Sequence, residues 1–430
     1  MNYQETIDYL FTKLPMYSRT GAAAYKSSLD NIITLCQFLE NPQNKFKSVH
    51  IAGTNGKGSA SNMLAAIFQT EGYKTGLHTS PHLKDYRERI TVNSFLVEEE
   101  FVIDFAKKIK KLITKIQPSF FEISVAMAFD YFAQQEVDIA IIETGLGGNL
   151  DSTNIIQPEI SIITNIGWDH MDLLGNTLEK IATEKAGIIK KETPIVIGEY
   201  TDETKLVFVE KAINKNAPIS FASDNWKTTS IQNSFNKLDF TATSKNKTYN
   251  ISSDLNGIYQ VQNIITVLES VDILQKLGWK ISDKNMIVAL SKVKTITGFK
   301  GRWDILKQNP LVIADVAHNV NGIEFVLKQL EQIEYSKLHI ITGLVKDKDI
   351  EKVLQLFPTS ASYYFTQADI PRALDKEVLK EKAAAFNLKG ATYNNVNKAI
   401  EKAINSADKD DLILICGSIF LVAEIDESII

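Results

Sequence analysis

Short apolar, β-branched runs alternate along the chain with amphipathic stretches of helical period. Val49-His50-Ile51-Ala52 leads into a helix, and the runs Val137 to Ile142 and Ile160 to Thr164 repeat the theme. That alternation predicts an α/β domain built on a mostly parallel sheet. From about Trp226 to Ile251 the pattern changes to Thr, Ser, Asn and Lys with scattered aromatics, which predicts a small β-rich insertion on the edge of that domain. A helix is expected over Gly257 to Leu277, and Thr295 to Gly301 has the composition of a hinge. Beyond it, strand-like runs at Leu311 to Asp315, Leu338 to Thr342, Ser362 to Thr366 and Leu412 to Cys416 alternate with helical ones, predicting a second, smaller α/β unit. The expected domains are therefore residues 1–296 and 297–430.

A chain of 430 residues has room for two or three cores. With 44% hydrophobic and 23% charged residues it sits in the ordinary globular range. Its net charge of −5, with both signs interspersed, argues against a nucleic-acid surface or a polybasic membrane anchor, so the partners are expected to be small molecules. Only Cys36 and Cys416 are present, which excludes a disulfide framework or a CxxC zinc site and fits a reducing compartment. The N-terminus lacks the pattern of a signal peptide and no apolar run approaches the roughly 18–20 residues of a membrane span. Cytoplasm is the expected location, and a monomer the default assembly.

Candidate chemistry begins at His50-Ile-Ala-Gly53-Thr-Asn55-Gly56-Lys57-Gly58-Ser59, between an expected strand and an expected helix. In that context glycines let backbone N–H groups close around phosphate oxygens, and the helix N-terminus adds its dipole. Lys57 supplies a charge for the outer phosphates and Ser59 a hydroxyl for Mg²⁺. The loop departs from the common G-x-x-x-x-G-K-[ST] form: two residues separate Gly53 from Gly56, and Gly58 stands between lysine and serine.

Further polar clusters fall at strand ends or in loops, where active-site residues of open α/β sheets gather. They are Thr79-Ser80-Pro81-His82-Leu83, the run from Glu143 through a glycine turn to Asn154, Asp169-His170-Met171-Asp172, and Thr183-Glu184-Lys185. Glu143 ends an apolar strand and is placed to bind Mg²⁺ directly or through water. His170, between two aspartates, suits a metal ligand or an orienting base. In a helix expected from about Asn176, Leu178, Ile181, Ala182, Ile188 and Ile189 form an apolar stripe on which Lys185 also falls. An ammonium there must find a carboxylate, snorkel outward or change its chemistry. In the second unit, Gly301-Arg302-Trp303 and Asp315-Val316-Ala317-His318-Asn319 are polar sets at the hinge and at a strand end. Ser418, after the final strand, can cap the next helix and offer its hydroxyl to a ligand.

The loop Gly53-Thr-Asn-Gly-Lys-Gly-Ser59 resembles that of the Mur ligase superfamily, and the motifs taken in order resemble the folylpolyglutamate synthase and dihydrofolate synthase family over roughly residues 17 to 424. The resemblance implies a two-domain, ATP-dependent ligase. In it Asn55, Gly56, Lys57, Gly58, Ser59, Asn263, Arg302 and Asp315 meet ATP, while Ser59, Ser80, Glu143, His170 and a CO₂-carbamylated Lys185 hold Mg²⁺, two ions being expected. It places folate or dihydropteroate at Ser119, Phe120, Phe121, Glu122, Leu150, Asp151 and Ser152, and L-glutamate at His318 and Ser418. Lys57, Glu143, His170, Lys185 and Arg302 are its catalytic set. Asn149 stands where the family usually has arginine, and Ser18-Arg19-Thr20-Gly21-Ala-Ala-Ala-Tyr25 is a weak match to the loop that handles dihydropteroate. The implied reaction activates the acceptor carboxylate as an acyl phosphate, which the glutamate amine then attacks once the domains have closed.

Rival readings fit the sequence less well. A peptidoglycan-precursor ligase of the same superfamily is expected to carry a further domain before the glycine loop, and 52 residues precede Gly53. A nucleotide-dependent switch is expected to show an N-K-x-D element after a strand, which Thr164-Asn165-Ile166-Gly167 does not supply.

Overall fold

The computed structural model describes residues 2–16, 28–234, 237–346 and 349–430. The Ser18 to Tyr25 loop lies outside these residues. The chain divides into two compact units, the second comprising Trp168–His170 and Lys300–Ile430.

In the first unit the described strands are β1 (Lys47–Ala52), β2 (Thr75–His78), β3 (Ile90–Val92), β4 (Phe95–Leu96), β5 (Ile139–Glu143), β6 (Ile160–Ile163), β7 (Ile195–Ile197) and β8 (Ile219–Phe221). They form an eight-stranded sheet in the order β4-β3-β2-β5-β1-β6-β7-β8. Pairs from β2 to β8 are parallel, while β3 and β4 add an antiparallel edge. Because helices cover both faces, the central strands are apolar almost throughout and β5 is buried at every position. Alternation still sorts its side chains: Ile139 and Ile141 enter one core, with the helix Lys57–Thr70, whereas Ala140 and Ile142 enter the other, with the helices Tyr3–Lys13, Glu99–Ile116 and Phe120–Gln134. With β1 between its parallel neighbours β5 and β6, the segments leaving these three strands start side by side at one end of the sheet.

The expected edge insertion is a three-stranded antiparallel sheet of β9 (Lys227–Ser234), β10 (Lys237–Thr243) and β11 (Thr248–Ser253). It is more than an edge ornament, since Leu238, Phe240, Ala242 and Ile251 alternate inward and join the same core as the helices Lys57–Thr70 and Gln260–Lys276. The hinge expected over Thr295 to Gly301 is narrower than its composition implied. Val293–Thr297 is helical, closed by Gly298 in the left-handed conformation at φ 70, and the two units part between Phe299 and Lys300.

In the second unit β12 (Asp304–Gln308), β13 (Leu311–Ala314), β14 (Leu338–Thr342), β15 (Ser362–Phe365), β16 (Gly390–Thr392) and β17 (Leu412–Cys416) form a six-stranded sheet, ordered β12-β13-β17-β14-β15-β16. Among these described strands β12 pairs antiparallel with β13, and the other pairings are parallel. Ile313, Ile340, Leu414 and Phe365 make its core with the helices Val320–Leu330 and Ile350–Leu356. Among the described residues no helix is long and apolar enough to cross a membrane.

Candidate active site

The glycine loop leaves the end of β1. Asn165 fixes its shape, its carbonyl accepting from the Thr54 N–H at 3.0 Å and its Oδ1 from the Asn55 N–H at 2.9 Å. From the end of β6 the Thr164 hydroxyl donates to the Asn55 carbonyl at 2.6 Å. Gly56, at φ 84, caps the helix Lys57–Thr70, so that helix's free N–H groups and dipole sit at the loop. Lys57 Nζ curls back over the loop to the carbonyls of Gly53 and Thr54, at 3.1 and 3.4 Å. Ser59 is buried and its hydroxyl accepts from Gln260 Nε2 at 3.1 Å, while Gln260 Oε1 accepts from Asn263 Nδ2 at 2.8 Å. Gln260, which the sequence reading missed, thus ties the loop helix to Asn263. Its signal was its place three residues before Asn263 on one helix.

Gly56 can be no other residue without cost. A Cβ there would stand 2.1 Å from Asn263 Oδ1, in a backbone conformation that L side chains rarely adopt. We expect Gly56→Ala to weaken ATP binding about 30-fold, corresponding to roughly 2 kcal/mol of strain and displaced side chain. Titration with nucleotide checks this, and unchanged affinity would contradict the fit.

Glu143, last residue of β5, lies beside β1 with Ile51 as its register partner. Its Oε2 accepts from the Ser80 N–H at 3.3 Å and is 3.8 Å from where a Gly58 Cβ would be. Two predicted metal ligands and the glycine loop therefore converge. Lys185 ends the helix Leu178–Lys185, is buried on the predicted stripe with Ile181 and Ala182, and donates from Nζ to the Gly53 carbonyl at 2.9 Å. Among the described residues no three His, Cys, Asp or Glu side chains form a metal-binding group. Donor chemistry suits Mg²⁺ nonetheless: a carboxylate and serine hydroxyls are hard oxygen donors, and Mg²⁺ is commonly held by one or two carboxylates plus phosphates and water. Glu143, Ser80 and Ser59 fit that pattern.

The residues assigned to the acceptor have mixed surroundings. Ser119 and Glu122 form a capping box for the helix Phe120–Gln134, Ser119 Oγ accepting the Glu122 N–H and Glu122 Oε2 the Ser119 N–H at 2.6 Å. Phe120 is buried, and Phe121 lies over Gly145 so closely that a Cβ there would meet its ring at 2.5 Å. Leu150 is partly exposed, Ser152 starts a short 3₁₀ turn, and Asn149, at the family's arginine position, is exposed. Asp151 is buried, with its carboxylate held by the Leu146 N–H at 2.8 Å and by the N–H and hydroxyl of Thr153 at 3.0 and 2.5 Å. Burial raises its pKa against the pull of those donors.

A second group missed from sequence stands behind Asp151. Since the Thr153 hydroxyl donates to Asp151, it accepts from His50 Nε2 at 2.8 Å. His50 is fully buried in β1, and burial, helped by the charge of Lys190, lowers its pKa to about 3, so the ring is neutral. The relay links the strand that carries the glycine loop to the turn that follows Glu143. A histidine within an apolar strand was its only trace in the sequence.

In the second unit Asp315 leaves β13 with both carboxylate oxygens engaged, by the Trp303 N–H at 2.9 Å and the Ala317 N–H at 2.8 Å. It thereby fixes the turn that carries Arg302, whose guanidinium donates to the Gly301 carbonyl at 3.1 Å. His318 Nδ1 is 3.0 Å from the Val316 carbonyl, and its Nε2 is 3.5 Å from Asp169 Oδ2. His170 also belongs to this unit, with Nε2 3.8 Å from the same Asp169 oxygen. The predicted metal ligands are thus divided: Ser59, Ser80, Glu143 and Lys185 lie in the first unit and His170 in the second. Ser418 caps the helix Ile419–Ala423, accepting the Phe420 N–H at 3.1 Å.

Comparison with known proteins gives this geometry a family. Residues 51–271 match the Mur ligase middle domain and residues 301–419 the Mur ligase glutamate ligase domain. The dihydrofolate synthase/folylpolyglutamate synthase of Bacillus subtilis is 32% identical over 98% of both chains. The chain belongs to the folylpolyglutamate synthase/dihydrofolate synthase family of ATP-dependent Mur ligases. Among its solved relatives, Escherichia coli FolC in complex with DHPP and ADP has a TM-score of 0.87 at 27% identity, covering 100% of this chain and 98% of that one. The Mycobacterium tuberculosis folylpolyglutamate synthase complexed with ADP and AMPPCP also has a TM-score of 0.87, at 28% identity and covering 98% of this chain and 97% of that one. The α/β architecture, with its parallel-rich sheets, is thus that of the family.

Proposed function

We propose that this protein joins L-glutamate to the carboxylate of tetrahydrofolate, and of 7,8-dihydropteroate, through an acyl phosphate formed from ATP. The observation that carries the reading is the convergence of the glycine loop, Lys57 and Glu143 at the ends of neighbouring strands in a chain of this family. A carboxylate resists attack by an amine because its leaving group would be oxide. Phosphorylation removes that barrier: a carboxylate oxygen attacks the γ-phosphorus, the bond to the β-γ bridging oxygen breaks, and ADP is released. Loop N–H groups and Lys57 balance charge as it develops on the transferring group, Asn55, Gly56, Gly58 and Ser59 cradle the phosphates, and Asn263, Arg302 and Asp315 complete the nucleotide contacts. Mg²⁺, two ions in this reading, held by Ser59, Ser80, Glu143, His170 and a carbamylated Lys185, supplies further charge neutralisation when bound.

Ser119, Phe120, Phe121, Glu122, Leu150, Asp151 and Ser152 form the acceptor region, the capping box and the His50 relay holding its backbone in place. His318 and Ser418 bind the incoming glutamate. Its neutral amine attacks the acyl carbon, loses a proton as the amide forms, and expels phosphate, which carries away one oxygen of the original carboxylate. The enzyme works as a monomer. The test labels the acceptor carboxylate with ¹⁸O and incubates it with ATP, Mg²⁺, glutamate and the protein. Mass spectrometry should find one label in each released phosphate, and unlabelled phosphate alongside ligated product would overturn the mechanism.

A further inference from the structure

Arg89 is a buried cation that the scheme above does not use. It ends the 3₁₀ turn Tyr86–Arg89 and is only 8% exposed. Its backbone is anchored, the carbonyl accepting from the Thr79 N–H at 3.2 Å and lying 3.0 Å from His78 Nδ1. The guanidinium is oriented twice. Nε donates to His82 Nδ1 at 2.7 Å, and the group lies over the Phe120 ring, 5.4 Å from its centroid.

Neither contact supplies negative charge. His82 Nδ1 accepts this bond through its lone pair, so the ring brings an acceptor but no negative charge. Glu143 and Glu88 are the acids whose charge reaches Arg89, and neither forms an ion pair with it among the described residues. Glu143 accepts the Ser80 N–H at 3.3 Å, Glu88 accepts the backbone N–H groups of Leu83, Lys84 and Asp85 at 2.6, 3.0 and 2.9 Å, and Asp85 is taken by Tyr3 and Arg87. Among the described residues no side chain or carbonyl takes a bond from Nη1 or Nη2, and neither atom is among those sealed from solvent without a partner. A buried guanidinium of this kind is costly unless an anion arrives. Burial already lowers its pKa to about 10, which leaves it charged at neutral pH.

Its place says which anion. Phe120, beneath it, belongs to the acceptor region, and His82 lies two residues after Ser80, whose N–H holds Glu143. Building on the proposed ligase activity, we infer that Arg89 binds the carboxylate of the acceptor through its two Nη groups and so presents that carboxylate for phosphorylation. Arginine suits this because its planar fork matches a carboxylate bidentately. The neutral His82 aims the fork without spending its charge, which an aspartate at that position would do.

The experiment measures the affinity of the full-length protein for dihydropteroate and, in a parallel series, tetrahydrofolate, each as the free acid and as its methyl ester. Arg89→Gln should weaken binding of the acid about 50-fold and leave the ester within about threefold, with ATP affinity unchanged. His82→Asp, which keeps the arginine but neutralises it, should weaken the acid about tenfold, whereas His82→Asn should retain acid binding. Thermal melts establish that each variant is folded. If Arg89→Gln does not fold, the two His82 variants decide. Acid and ester weakened alike, or an acid affinity that survives both Arg89→Gln and His82→Asp, would overturn the inference while leaving the ligase reading intact. A wild-type protein that binds neither acid would overturn both.

Discussion

Replacing Lys57 with alanine is expected to lower ligation at saturating ATP by about 10³-fold or more, equivalent to roughly 4 kcal/mol of transition-state stabilisation. The loop itself should survive the change. Its path is held by Asn165 through the N–H groups of Thr54 and Asn55 and by the Thr164 hydroxyl, while Lys57 reaches the Gly53 and Thr54 carbonyls only from its side-chain end. Backbone N–H groups and the helix dipole would still receive the nucleotide, so ATP affinity should fall only about tenfold. The missing ammonium is felt chiefly when charge accumulates on the transferring phosphoryl group, and the defect belongs in kcat. Steady-state kinetics beside a nucleotide titration separate the two effects. Full turnover by Lys57→Ala would be incompatible with the proposed role, and a defect confined to ATP affinity would reassign Lys57 to binding.

Much of this was legible in the sequence because it is written locally. The run Val49 to Ala52 followed by a glycine-rich loop specifies a strand, a turn with left-handed residues and a helix, and each neighbour enforces the next. Glu143 was readable because a carboxylate closing an apolar strand has few structural reasons to be there. The burial of Lys185 followed from helical spacing alone. What local pattern could not give was pairing across the sheet. His50 and Thr153 are 103 positions apart and meet only because β1 lies beside β5 and the turn that follows it. Gln260 reaches Ser59 across 201 positions. Arg89 carries no sequence signal of its own, since nothing in Asp85-Tyr86-Arg87-Glu88-Arg89 distinguishes Arg87, ion-paired with Asp85, from Arg89, whose Nε donates to His82. The hinge was legible in part: the units part between Phe299 and Lys300, inside the expected stretch, but threonines that read as loop complete a short helix before Gly298.

The second large effect concerns Lys185. Its side chain is buried on an apolar helix face with Nζ 2.9 Å from a carbonyl of the glycine loop, so its charge state bears directly on where the phosphates would lie. Uncharged, the amine can add to CO₂, forming an N–C bond and releasing a proton, and the resulting carbamate is an anion suited to hold a divalent cation. An ordinary ammonium would instead act as a second positive charge beside Lys57. The two possibilities predict opposite results. If the carbamate forms, Lys185→Ala should reduce ligation by about 10³-fold, and Lys185→Arg, which keeps the charge but cannot add CO₂, should be equally impaired. Wild-type activity should fall when CO₂ and bicarbonate are stripped from the buffer and return when they are restored. Labelling with ¹³C-bicarbonate should give a carbamate carbon signal in the wild-type protein that is absent from Lys185→Ala. Substantial activity in Lys185→Arg, indifference to CO₂ and no ¹³C signal would together make Lys185 a plain cation and return the second metal position to other ligands.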